Sequence, residues 1–205
     1  MASDLADEHG LPVWPAAERN KQPIAEALAR VLPERGRLLE IASGTGQHAL
    51  HFTGALPGWT IQPTDSDAAH LETLRRRVAL AANPRLLAPL ELDVTREPPA
   101  LEPTAMYCAN MVHIAPWAAC VGLFRVASRL LPAGGLLVTY GPYSVGGTHT
   151  AESNDAFDRS LRDRNPDWGV RDVNAVEAVA RDHGLTLTRT EAMPANNLLL
   201  VWTKG

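Results

Sequence analysis

The stretch Leu38–Leu50, LLEIASGTGQHAL, decides the fold. An apolar run of strand length, "RLLEIA" (Arg37 to Ala42), carries Glu40 near its end, Ser43 to Gly46 form a glycine-rich turn, and helical spacing follows to about Ala55. Strand, glycine turn and helix open a βαβ unit. Glycines there let backbone approach a ligand, and the first N–H groups of the following helix favour a polar or anionic group.

Outward from this junction the same rhythm repeats. A helix is expected over Pro23 to Leu32 before it, with proline near its first turn. After it come strands at Trp59 to Pro63, Leu86 to Val94, Ala105 to Asn110 and Gly135 to Gly141, with helices at Asp67 to Ala82 and Trp117 to Leu131. Pro142 to Gly169 breaks the rhythm as a polar loop around a short helix, Ser153 to Arg162. Asp172 caps a helix that stops at Gly184, and two strands, Leu185 to Met193 and Leu198 to Thr203, are joined by "PANN" (Pro194 to Asn197). Seven strands in this order predict an α/β fold: a Rossmann-like, doubly wound sheet ending in an antiparallel hairpin, with ligands beyond the carboxyl ends of its strands.

At 205 residues, 45% hydrophobic and 20% charged, the chain is expected to form a single domain over 1–205. Its net charge of -4 argues against nucleic acid as partner, since that binding draws its affinity from phosphate neutralisation. Two cysteines, Cys108 and Cys120, build no disulfide scaffold. The acidic start has no apolar signal region, and Met111 to Phe124 is shorter than the ~20 residues that cross a bilayer. A cytoplasmic protein without membrane contact, monomeric or homodimeric, is expected.

Gly44-x-Gly46-x-x-Ala49 also satisfies a dinucleotide-binding pattern, with Asp65 where a ribose-binding acid belongs. Two details weigh against a nicotinamide cofactor. Glu40 is an odd neighbour for a pyrophosphate but suits a cationic ammonium or sulfonium. The only lysines are Lys21 and Lys204, and the residues four before them, Ala17 and Leu200, leave no Tyr-x-x-x-Lys pair for a short-chain reductase.

"EIASGTG" resembles the first motif of class I S-adenosylmethionine-dependent methyltransferases. From about Pro15 to Thr203 the chain is similar to the methyltransferase-like family that includes methyltransferase-like protein twenty-six. The words that carry this are "PAAERNKQPI" at Pro15, "CANMVHIAPWAAC" at Cys108, "SNDAFDRSLR" at Ser153, "WGVRD" at Trp168 and "MPANN" at Met193. The resemblance implies S-adenosyl-L-methionine as cofactor and methyl transfer as activity. It places Glu40 at the methionyl amino group, and Ala42, Gly44 and Gly46 along the cofactor. Asp65 would hold the ribose hydroxyls, Asp93 and Val94 the adenine, and Asn110 would sit near the methyl donor. The leader, 1–22, would close over this site, with Asn20 and Lys21 at the cofactor carboxylate. Related sequences carry an acid just before the fourth strand where this chain has Thr104, which touches a supporting contact and not the cofactor site.

Methyl transfer from a sulfonium is an in-line displacement, so the protein mainly aligns the acceptor. His113 is the candidate general base because its ordinary pKa suits neutral pH, with Asn110 and Tyr140 beside it as catalytic candidates. The insert 142–171 is expected on the acceptor side. His113, Trp117, Tyr143, His149, Asn154, Phe157, Trp168, Arg171 and Asn196 offer the mixture of aromatic walls and fixed polar groups that a small-molecule acceptor pocket needs. "NMVH" is not the Asn-Pro-Pro-aromatic motif of amino-methyltransferases, and His48 and His51 lack a third ligand, so no metal is expected. Two rival readings remain: a non-catalytic S-adenosylmethionine-binding or interaction module, and a nicotinamide-dependent reductase.

Overall fold

The computed structural model describes residues 5–205, and the expected leader's first four residues lie outside them. A seven-stranded sheet runs in the order β3 (Leu90–Glu91), β2 (Trp59–Asp65), β1 (Gly36–Ile41), β4 (Ala105–Ala109), β5 (Leu136–Gly141), β9 (Asn197–Lys204), β8 (Leu185–Met193), and a separate two-stranded ribbon pairs β6 (Ser144–Val145) with β7 (Thr148–His149). By chain contacts the protein divides into two compact units, one ending at Asp93 and including Pro103–Ala105, the other made of Val94–Glu102 and Met106–Gly205.

The first unit begins with α1, Pro15–Val31. It starts earlier than the sequence suggested, because Pro15 takes the first-turn position and Pro23 lies inside the helix. An interior proline forgoes one intrahelical hydrogen bond. Burial of Ile24, Ala25, Ala27 and Leu28 offsets that loss. Strands β1 (Gly36–Ile41) and β2 (Trp59–Asp65) pair in parallel, and both are buried along most of their length, as a sheet covered on both faces requires. The connection between them is α2, Gln47–Ala55. Helix α3, Ala68–Ala81, is capped by Asp67, whose carboxylate accepts the Ala69 and His70 N–H groups at 2.7 and 3.2 Å. The third strand is shorter than expected: β3 is only Leu90–Glu91, paired with Thr64 and Asp65 of β2.

In the second unit β4 is Ala105–Ala109, α4 is Trp117–Leu130 and β5 is Leu136–Gly141. The insert is more ordered than a polar loop. It holds the ribbon β6 (Ser144–Val145) and β7 (Thr148–His149), and α5 spans Glu152–Arg164. Helix α6, Val173–Asp182, starts where Asp172 accepts the Asn174 N–H at 2.9 Å. Strands β8 (Leu185–Met193) and β9 (Asn197–Lys204) form the terminal antiparallel hairpin, and β9 also pairs antiparallel with β5. Phe124 of α4 meets Trp202 of β9 edge-on at 5.1 Å in the core of this unit.

Candidate functional site

The end of β1 carries the glycine turn, and its backbone is unusual. Ala42, Gly44 and Gly46 have φ of 54°, 55° and 78°. Glycine takes this left-handed conformation freely, whereas the Cβ of Ala42 is strained in it. At Gly44 the constraint is also spatial, because an added Cβ would overlap the six-membered ring of Trp14.

Glu40 is buried beneath this turn, 2% exposed. Burial pushes its carboxyl up to about 8, the Ser43 hydrogen bond works against that rise and the charge of Asp65 adds to it. Its Oε1 lies 3.8 Å from His48 Nδ1, while its Oε2 is buried with no hydrogen-bond partner. A buried acceptor without a donor is destabilising, so this oxygen is a candidate to receive a donor from a bound molecule. Asn20 is engaged here, with Oδ1 2.7 Å from His48 Nε2, and Lys21 pairs with Glu18 at 2.5 Å.

Asp65 ends β2 and is 5% exposed. Its Oδ2 accepts the Gly44 N–H at 2.8 Å, and its Oδ1 accepts the Asp67 N–H at 3.0 Å and lies 3.3 Å from His70 Nδ1. Burial works to raise its pKa, yet the His70 ring and the two amides outweigh burial and hold it below the ordinary value. A carboxylate offers about four acceptor sites, so Oδ2 keeps one for a ligand hydroxyl. Asp93 is half-buried beyond β3, and in the second unit the Val94 carbonyl accepts from the Arg125 guanidinium at 2.9 Å.

Four residues of the first unit that the motif reading omits belong to this cluster. Trp14 presses on Gly44 and meets the His70 ring edge-on at 5.3 Å. The Trp14 N–H donates to Gln47 Oε1 at 2.7 Å, and Arg77 Nε donates to the Thr45 carbonyl at 2.6 Å. Arg77 had one legible signal: with Leu71 and Leu74 it lies on the buried stripe of α3.

The second unit gathers the expected acceptor-side residues differently from the sequence reading. Asn110 ends β4 with φ 59°, and its N–H donates to the Tyr140 carbonyl at 2.8 Å. One 3-10 turn, Met111–His113, follows. His113 is fully buried, its Nδ1 accepts the Arg171 N–H at 3.2 Å, and its carbonyl accepts the Gly169 N–H at 2.9 Å. That bond places the ring proton on Nε2, which has no partner and lies where a Cβ on Gly141 would overlap it. Burial, with the charge of Arg171 adding to it, pushes the imidazole down to about 3. The expected general base therefore has no lone pair to spare and no ready charged form.

Tyr143 is likewise a core residue, donating from its hydroxyl to Thr139 Oγ1 at 2.9 Å and meeting His113 edge-on at 4.6 Å. Arg171 is bound to the Val112, Ala115 and Asp167 carbonyls at 2.9, 2.8 and 2.7 Å, with its guanidinium 5.5 Å over the Trp117 ring. Asn154 donates to Thr150 Oγ1 and to the Asn196 carbonyl, and Asn196 donates to Ser153 Oγ, so the "PANN" turn is tied to α5. Trp168 lies half-buried with the Arg164 guanidinium 5.6 Å over its ring, and Phe157 is exposed. His149 differs from His113: its Nδ1 is buried and unpartnered, and its Nε2 lies 3.8 and 3.9 Å from Asp155 and Asp158. Among the described residues no group of three or more His, Cys, Asp or Glu could hold a metal ion, and no helix is long and apolar enough to cross a membrane.

The sheet order, with its antiparallel terminal hairpin, is that of class I methyltransferases, and solved structures of that fold superpose on this chain. An O-methyltransferase family protein from Burkholderia thailandensis matches with a TM-score of 0.77 at 16% identity, over 93% of this chain and 57% of that one. Human N-acetylserotonin methyltransferase, solved with S-adenosylmethionine, gives 0.79 at 14% identity over 93% and 53%. CalO1, a methyltransferase in calicheamicin biosynthesis solved with S-adenosylhomocysteine, gives 0.73 at 19% identity over 93% and 56%. The chain thus spans little more than half the length of these proteins. It belongs to the family described as "Protein of unknown function (DUF938)", whose model matches residues 12–204.

Proposed function

We propose that the chain is a single-domain S-adenosylmethionine-dependent methyltransferase acting on a small polar metabolite or natural-product acceptor, in the branch that includes methyltransferase-like protein twenty-six. The observation that carries this reading is the orphaned Oε2 of Glu40 beneath the glycine turn. Glu40 can give up its proton to hold an ammonium and, as a carboxylate, repels a pyrophosphate, which sets the sulfonium cofactor ahead of a nicotinamide one. When bound, S-adenosylmethionine supplies an electrophilic methyl group.

The chain's own residues divide the work. Glu40 holds the cofactor's amino group, the left-handed backbone of Ala42, Gly44 and Gly46 follows its chain, the spare lone pair of Asp65 takes a ribose hydroxyl, and Asp93 with Val94 serve the adenine. Asn110, on a strained strand end, positions, and Tyr140 anchors it through its carbonyl. His113 is a fixed neutral imidazole that braces the Asn110 turn against the Arg171 loop; it is not the base. Where the acceptor must lose a proton, His149 is the group with a free lone pair, oriented by Asp155 and Asp158. Trp117, Phe157 and Trp168 supply apolar surface to the acceptor, while Asn154, Asn196, Tyr143 and Arg171 hold that wall in place. The acidic balance and two buried cysteines outside any disulfide suit a cytoplasmic setting.

One observation favours a second reading, an S-adenosylmethionine-binding module without turnover: Arg171, Tyr143 and His113 are all spent on internal contacts. Incubation with S-adenosylmethionine carrying a labelled methyl and a fractionated pool of polar metabolites separates the two. The methyltransferase reading expects label in a small molecule and stoichiometric S-adenosylhomocysteine. Tight cofactor binding with no label transferred from any fraction would overturn it.

A further inference from the structure

Residues 5–14, which precede α1, are ordered against the first unit. Residues 5–13 fold into a small hairpin in which the Asp7 N–H donates to the Leu11 carbonyl and the Val13 N–H to the Leu5 carbonyl, both at 2.9 Å. Leu11 is 1% exposed, so the hairpin is seated on the unit. The Asp7 carboxylate fixes the turn by accepting the His9 and Leu11 N–H groups at 3.0 and 2.9 Å. The hairpin delivers Trp14 onto Gly44, between the glycine turn and the His70 ring that leans on Asp65.

One side chain ties this hairpin to the turn. Arg77 is 7% exposed and divides its guanidinium three ways: Nη1 to Asp7 Oδ2 at 2.9 Å, Nη2 to the Pro12 carbonyl at 3.1 Å, and Nε to the Thr45 carbonyl at 2.6 Å. A charge this deeply buried holds only while all its partners are present. Gln47 closes the other end, accepting the Trp14 N–H and donating to Glu18 Oε1 at 2.6 Å. Trp14 thus lies against Gly44 and beside the His70 ring that Asp65 holds, while Glu40 and Asp65 are themselves 2% and 5% exposed and Glu40 Oε2 has no protein partner.

We propose that residues 5–14 are a strap that gates the cleft above the glycine turn, with Trp14 as the residue that closes on the ligand and Arg77 as the positioning residue that latches strap to turn. A nucleoside reaches Asp65 only when Trp14 lifts, and Arg77 makes that movement visible to the turn through the Thr45 carbonyl. This gate rests on the cofactor reading for the identity of its ligand and on the hairpin's contacts for its existence.

Two readouts on wild type, Asp7→Asn and Trp14→Ala test it. Amide hydrogen exchange measures the strap itself. Asp7→Asn keeps an oxygen for the turn but removes the charge facing Arg77, so exchange in 5–14 and in 42–46 should rise together, by about ten-fold. Stopped-flow binding of S-adenosylhomocysteine should show association and dissociation both faster by a similar factor, with Kd little changed. A residue that merely stabilised the fold would not move both rates equally. Unchanged exchange in 42–46, or unchanged binding rates in a variant whose strap exchanges faster, would overturn the gate. Should S-adenosylhomocysteine bind none of the three proteins, the cofactor reading fails, and the joint exchange of 5–14 with 42–46 still decides the strap.

Discussion

Replacing Glu40 by Gln tests the buried acid from two directions at once. An acid held at about 8 in the folded chain and at 4.5 in the unfolded one destabilises the fold by about 1.4 kcal/mol per pH unit between those values, about 5 kcal/mol in all. The sign follows from the raised value: the stability linked to Glu40 is complete below 4.5 and is lost as pH rises through 8. Glutamine fills the same space without charge. By pH 9 the variant without ligand should therefore be more stable than wild type by about 3 to 5 kcal/mol in urea unfolding, with little difference at pH 5. Cofactor affinity should move the opposite way. Loss of a buried partner for an ammonium weakens binding by about 2 to 5 kcal/mol. Wild-type affinity should also fall towards ten-fold per pH unit below 8, because the ligand must displace a proton from Glu40, whereas the variant's affinity should be flat there. Equal unfolding curves at pH 9 together with equal calorimetric affinities for the two proteins would rule out a buried, proton-bearing Glu40 that holds the ligand.

Two further outcomes follow from the same geometry. Ala42→Gly relieves the strain of a left-handed alanine at φ 54° and should raise stability by about 0.5 to 1 kcal/mol in thermal unfolding, since the ~1 to 2 kcal/mol of strain is partly offset by the freer unfolded chain. His113, held at about 3, should show no titration between pH 5 and 8 in nuclear magnetic resonance of its ring. Because that value is depressed, its contribution to stability is whole above 6.5 and declines as pH falls towards 3, by about 1.4 kcal/mol per unit.

The architecture was legible because each strand ends at a turn signal and each helix carries its own punctuation. Asp67 and Asp172 cap as their positions suggest, and "PANN" makes the hairpin turn with Ala195 and Asn196 in the left-handed region. Local signals failed where tertiary contacts overrode them. Pro23 reads as a helix start, yet packing carries α1 back to Pro15, and β3 pairs over two residues of a nine-residue apolar stretch. The positions of Glu40, Gly44, Gly46 and Asp65 at the ends of β1 and β2 were legible because a motif fixes them relative to strand ends. His113 and Tyr143 could not, since residue type shows that a side chain can titrate and only packing shows whether it is buried with its lone pairs spent. Trp14 and Arg77 lie outside any motif and meet the turn across 30 and 32 positions of sequence.

In the proposed function the first unit binds S-adenosylmethionine through Glu40 and Asp65. Calorimetric titration of wild type and Asp65→Asn with S-adenosylhomocysteine, and of wild type with NADH, tests it most directly. The expected result is one binding site for S-adenosylhomocysteine, affinity weakened in Asp65→Asn by about 1 to 3 kcal/mol, and no binding of NADH. Binding of NADH without S-adenosylhomocysteine at millimolar ligand, or equal affinity in Asp65→Asn, would contradict it.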